Sequence, residues 1–252
     1  MCGLFNDKNS SKGYNKYFKE YGVRSAEIFY LDLHTWNTYN VKNMSCLFEN
    51  CVSLKKINLS GWDTSNVTDM SIMFGMCESL MELNLSDFDT SNVTNMCWMF
   101  SWCENLTELD LSNFNTSNVT NMGRMFSNSR SLSKLNIKGF DTSNVKNMSY
   151  MFCVCYELTE LDLSSFNTSN VENMDSMFSN CINLEKIILS DKWSTFNVKE
   201  TEDMFFKCES LSDIDFSNFY VCNNRLFYNG IDLRKTKMFY KCKEKIKNQF
   251  KK

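Results

Sequence analysis

"DTSNVTNM" occupies residues 89–96, and near-copies stand at 63–70, 115–122, 141–148 and 167–174. Each copy begins 26 residues after the one before it. Self-similarity at a fixed period of about 20–50 residues marks stacked repeat architectures, in which each unit covers the apolar side of the next. The leucines that open the strand-like segment of each unit keep the same spacing. They are Leu54, Leu80, Leu106, Leu132, Leu158, Leu184 and Leu211, with one extra residue inserted near Lys192. A partial unit with Leu31, Leu33, Trp36, Val41, Met44 and Phe48 precedes them, and a stretched one ending in Met238, Phe239 and Cys242 follows.

Within the unit 106–131, Leu109 and Leu111 alternate with polar residues, as a short strand requires, and Phe114 turns inward. Asn115-Thr116-Ser117-Asn118 is turn and capping chemistry, because short polar side chains bond nearby backbone N–H groups. In the preceding unit Val93, Met96, Met99, Phe100 and Cys103 follow with the spacing of one stripe on a short helix. The expected unit is therefore strand, turn, short helix and return; periodicity leaves a second short strand around "NVTNM" open. The repeated eight residues read as the corner of each coil, with their Thr and Asn satisfying backbone groups there.

The chain has 252 residues, 43% hydrophobic, a net charge of −3 and no proline. That is enough apolar content for a substantial core. No global basic field exists to capture nucleic acid along the body. No apolar run approaches the roughly 18 residues of a membrane helix. The opening MCGLFNDKNSSKGYNKYFKEYG lacks a basic start followed by an apolar core, so no signal peptide is expected in it. Residues 1–27 leave the repeat and read as an N-terminal cap, 28–221 as the repeat body, and 222–252 as a C-terminal cap with a basic helix. The basic end is a solvated cap helix or a segment drawn to an acidic membrane surface or nucleic acid.

Twelve cysteines raise the question of metal or redox chemistry. Cys51, Cys77, Cys103, Cys155, Cys181, Cys208 and Cys242 share one position in the unit, where Ser129 stands in the 106–131 coil. One cysteine per coil on one line gives no tetrahedral metal cluster, and His34 is the sole histidine. A buried, reduced column is expected. Cys97 and Cys153 fall at other positions and read as partly exposed. No catalytic pairing, cofactor motif or metal set emerges, so an enzyme is not expected.

Two outward columns of the strand segment vary in residue while their frame stays constant. One is Lys56, Glu82, Glu108, Lys134, Glu160, Lys186 and Asp213. The other is Asn58, Asn84, Asp110, Asn136, Asp162, Ile188 and Asp215. Constant frame with varying chemistry is what a recognition face has; pairing of charges between adjacent strands is the plainer reading. Trp98, Trp102, Tyr150 and Tyr156 lie outside the inward stripe and suit either a partner contact or packing between coils.

The pattern LxxLDLSxFxTSNVxNMxxMFxxC, over about residues 28–217, resembles the repeat of BspA-like leucine-rich-repeat surface proteins in its mycoplasma-type version. The resemblance implies an α/β, right-handed leucine-rich-repeat solenoid with one short parallel strand and a short helix per 26-residue coil. It implies protein binding, with adhesion at the cell surface or in a secreted form. Self-association is a further option that the sequence leaves open. An intracellular scaffold or effector binding cytosolic proteins is the alternative, favoured by the abundance of cysteine.

Overall fold

The computed structural model describes residues 28–215, 217, 227–228, 231–232 and 240–242. The expected terminal caps fall largely outside these residues. Successive coils lie on one another with a 26-residue offset. Short strands pair in parallel: β1 (Tyr30–Asp32) with β2 (Lys56–Asn58), β3 (Glu108–Asp110) with β4 (Lys134–Asn136), and β5 (Glu160–Leu163) with β6 (Lys186–Leu189). Lys56↔Glu82 and Lys186↔Asp213 bridges extend two of these pairs. Near the C-terminus β7 (Phe227–Tyr228) and β8 (Ile231–Asp232) form an antiparallel pair.

A second parallel column runs through the corner motif, bridging Asn43, Asp69, Asn95, Asn121, Asn147, Asn173 and Glu200 in turn. This is the alternative strand that periodicity left open. The expected short helix is absent from the described residues. In its place each coil makes tight turns with two left-handed residues four apart, as at Trp98 (φ 60°) and Trp102 (φ 61°). Met96, Trp98, Phe100 and Trp102 donate their N–H groups to the carbonyls of Asn121, Gly123, Met125 and Ser127 in the next coil, at 2.8–3.0 Å. The intervening Met99 and Ser101 donate three residues back within the coil, and Cys97 donates to Asn95 Oδ1. Every N–H from Met96 to Trp102 thus finds an acceptor without a helix, as a buried backbone requires.

The stripe is buried as expected: Val93, Met96, Met99, Phe100 and Cys103 are at most 1% exposed. Phe48, Phe74, Phe100, Phe126, Phe152, Phe178 and Phe205 stack ring on ring with centroids 5.3–5.8 Å apart. A parallel stack begins at Trp36, Trp62 and Phe88 and includes Phe140 and Phe166. Trp36, at the end of its stack, stays exposed; each buried ring contributes about 1.5–3 kcal/mol by leaving water, but only because the coils on either side complete its enclosure.

The corner motif is a set of stitches. Thr38, Thr64, Thr90, Thr116, Thr142 and Thr168, all buried, donate from Oγ1 to a carbonyl of the next coil at 2.8–3.0 Å. Asn66, Asn92, Asn118, Asn144, Asn170 and Asn197 donate from Nδ2 to a carbonyl of the previous coil at 2.6–2.9 Å. Asp63, Asp89, Asn115, Asp141 and Asn167 accept the N–H two residues on, which fixes the turn itself.

Candidate functional site

The strand segment places its two outward columns on one surface, with the residues between them turned into the core. Leu109 and Leu161 are buried while Glu108 and Glu160 stand in solvent. Much of the first column is paired within the chain. Lys56 meets Glu82 at 2.8 Å, Lys134 bonds Glu108, and Lys186 lies 3.6 Å from Glu160. The Glu82 hydrogen bond holds the Lys56 ammonium above its ordinary range. Such exposed pairs each give at most about 1 kcal/mol.

The second column serves the turn that follows the strand. Asn58, Asn84, Asp110, Asp162 and Asp215 accept the N–H two residues on, and Asn136 Oδ1 lies 3.5 Å from the Lys138 N–H. Hydrogen bonding from Ser112 and Ser164 holds the Asp110 and Asp162 carboxyls below the usual range. Asn136 also donates to Asp110 at 3.0 Å, and Lys138 approaches Asp162 at 3.9 Å. Ile188 cannot accept; in its coil the Ser190 hydroxyl takes over, receiving the Lys192 N–H at 3.1 Å. What varies along this column is therefore charge, with the cap retained. With the lysine-paired members set aside, Asp110, Asp213 and Asp215 leave the face acidic.

The cysteine column is inward and free of disulfides among the described residues. Cys77, Cys103, Cys155, Cys181, Cys208 and Cys242 donate from Sγ to the carbonyls of Phe48, Phe74, Phe126, Phe152, Phe178 and Phe205, at 3.0–3.3 Å. Ser129 makes the same bond to Phe100 at 2.7 Å. Burial pushes the Cys103 thiol up to about 12 and the Cys155 and Cys208 thiols well above their ordinary value. These are packing and donor groups held protonated. Cys153, expected to be partly exposed, is only 7% exposed, because its backbone lies in the tight turn between Tyr150 and the left-handed Val154; Cys97 is half-buried. His34 is exposed and bonds Asp32 across 2.7 Å. No group of three His, Cys, Asp or Glu suited to a metal occurs among the described residues, and no helix there is long and apolar enough to cross a membrane.

The turn edge brings together residues that pattern reading only half identifies. Arg124 lies between Trp98 and Tyr150 of the adjacent coils, its guanidinium carbon 4.7 and 3.9 Å from the ring centroids. Arg130 sits near Trp102 and Tyr156 and pairs with Glu104 at 3.4 Å. The aromatics thus do pack between coils, around two arginines that sequence reasoning passed over. Their signal was present: Arg124 holds the frame position that is Ile72, Trp98, Tyr150, Ser176 and Asp203 elsewhere.

No curated protein matches the sequence. Three solved structures resemble the fold at low identity. The leucine-rich repeat protein of T. pallidum is 21% identical, with a TM-score of 0.48 over 73% of this chain and 78% of that one. A leucine-rich cell surface protein from Faecalibacterium prausnitzii is 15% identical, with 0.36 over 76% and 70%. An internalin from Listeria monocytogenes is 15% identical, with 0.32 over 68% and 63%. The repeat itself is matched by a family model in overlapping windows, 18–134, 54–158, 99–219 and 133–244. Together these windows span residues 18–244 and cover the whole repeat body, and the chain belongs to the family described as Mycoplasma protein of unknown function, DUF285.

Proposed function

We propose that the chain is a non-enzymatic protein-binding module, a right-handed solenoid of leucine-rich-repeat type. Its contacts are made by the outward strand columns at 56, 58, 82, 84, 108, 110, 134, 136, 160, 162, 186, 188, 213 and 215. The observation that carries this reading is the contrast between a repeated interior and a strand surface of constant frame and varying charge. A preformed surface of this kind loses little conformational freedom on binding. The acidic excess of the columns fits a basic partner surface. Replacing Glu82, Glu108, Asp110, Glu160 and Asp162 together with Ser tests it. Affinity for a protein captured by the wild-type chain is expected to fall at least about tenfold; unchanged affinity overturns the strand-face reading.

The resemblance of the repeat to that of BspA-like surface proteins supports a place at the cell surface. Protease treatment of intact cells, with lysed cells as the control, decides between that and an intracellular scaffold: cleavage only after lysis favours the scaffold. The abundance of cysteine, twelve in 252 residues, supports the second reading.

A further inference from the structure

The turn edge carries opposite charges that are not paired with one another among the described residues. Arg124 and Arg130 are the only arginines among the described residues, and they stand in one coil. Arg130 has Glu104 as its partner. Arg124 has two aromatic faces, and its N–H fork has no acceptor among the described residues. A guanidinium seated between two rings has less rotamer freedom left to lose, and its fork matches a carboxylate in two parallel bonds. Farther along the same edge stand Asp175, Glu202 and Asp203, with no ion pair to any cation among the described residues. Burial raises the Asp175 carboxyl, and the like charges of Glu202 and Asp203 push it the same way. Its hydrogen-bond partners, Tyr150 and Ser176, are neutral. Asp203 Oδ1 is buried without a hydrogen-bond donor.

The spacing of these groups is symmetric. Counted in coils from Tyr150, Arg124 is one back and Asp175 one forward, while Trp98 is two back and Glu202 and Asp203 are two forward; Asp175 and Glu202 stand one residue before the frame position of Arg124 and Tyr150. A two-fold axis through Tyr150, perpendicular to the stack, exchanges the two sets. Because every coil has the same rise, roughly 4.8 Å, the register holds along the whole edge. An isologous interface needs this self-complementarity, with each surface supplying both halves of every contact.

We propose that the turn edge pairs two copies of this chain antiparallel, with Arg124 of each copy against Asp175 of the other and the Tyr150 rings on the axis. The aromatic residues around Arg124 provide the desolvated surroundings in which a charge pair matters. The interface is separate from the strand face, so the two readings fail independently.

Sedimentation velocity on the full chain over about 1–100 µM, at low and high salt, is the first test, since self-association is concentration-dependent. A salt-sensitive monomer–dimer equilibrium is expected. R124E and D175R are each expected to raise the dissociation constant at least about tenfold. Their equimolar mixture is expected to dimerise. In the mixed pair the carboxylate introduced by R124E faces the guanidinium introduced by D175R at one contact, and the native Arg124–Asp175 pair remains at the other. If the melting curve of D175R shows loss of fold, E202K replaces it, reversing the same acidic end from an exposed position. A wild-type chain monomeric over the whole range, undiminished dimerisation of R124E, or a mixture that stays monomeric overturns the proposal. The strand-face Ser variant dimerises like the wild type.

Discussion

A single side-chain bond explains the cysteine column. From Cys77 onward, the thiols of the column donate to the carbonyl of a phenylalanine in the preceding coil. In several coils that carbonyl also accepts a turn N–H, as Phe48 does from Cys51 at 3.2 Å, so the thiol fills the second lone pair. Ser129 fits the column because the position needs a small, buried donor, and sulfur is incidental to that. Sequence alone shows the column and its exception; it does not show the acceptor, which lies 29 residues upstream. Ser129→Cys is therefore expected to change stability by less than about 1 kcal/mol. Ser129→Ala, which takes the buried hydroxyl donor away from the Phe100 carbonyl, is expected to cost about 1–3 kcal/mol. Urea unfolding midpoints of the two variants, at unchanged slope, check the difference. Equal destabilisation of both shows that the hydroxyl bond is unimportant.

Among the elements, the turn segment shows how a correct pattern led to the wrong backbone. Apolar residues at i, i+3, i+4 and i+7 fit one face of a helix. The same spacing arises when tight turns with left-handed residues four apart bring Met96, Met99, Phe100 and Cys103 to one side. Local pattern cannot separate the two. The coil spacing decides, because only the extended form lets alternate N–H groups reach the next coil. The left-handed conformation costs roughly 1–2 kcal/mol at a residue with a side chain, most of all a β-branched one, and Asn tolerates it best. The second left-handed position is Asn50, Asn128 and Asn180 in some coils but Val154 in another. Val154→Asn is expected to raise stability by about 0.5–1 kcal/mol, read as a higher urea midpoint. A lower midpoint shows that the half-buried valine side chain outweighs its backbone strain.

At the scale of the whole molecule, the described coils form a one-dimensional stack, so the stability of this body is a sum of coil and interface terms. Removing residues 106–131 places Leu132 after Asn105, and each ladder reforms between coils that were two apart. The shortened chain is expected to unfold cooperatively with a smaller urea slope, since the slope follows the surface exposed. Removing 106–118 alone breaks every register and is expected to abolish the transition. A shortened 106–131 variant that fails to fold contradicts the interchangeability of the coils. That deletion also takes out Arg124, so it is expected to be monomeric.

The 26-residue period, the inward columns, the corner at "DTSNVTNM" and the outward strand positions are legible from the chain alone. Identical residues recur at identical places, and a repeat states its own register. Stacking settled the rest: the path of the turn segment, the pairing of strand-face charges and the seating of Arg124 between Trp98 and Tyr150. In each case the partner lies one coil away in space and about 26 residues away in the chain. No local pattern carries that distance; only the packing of coil on coil converts it into contact.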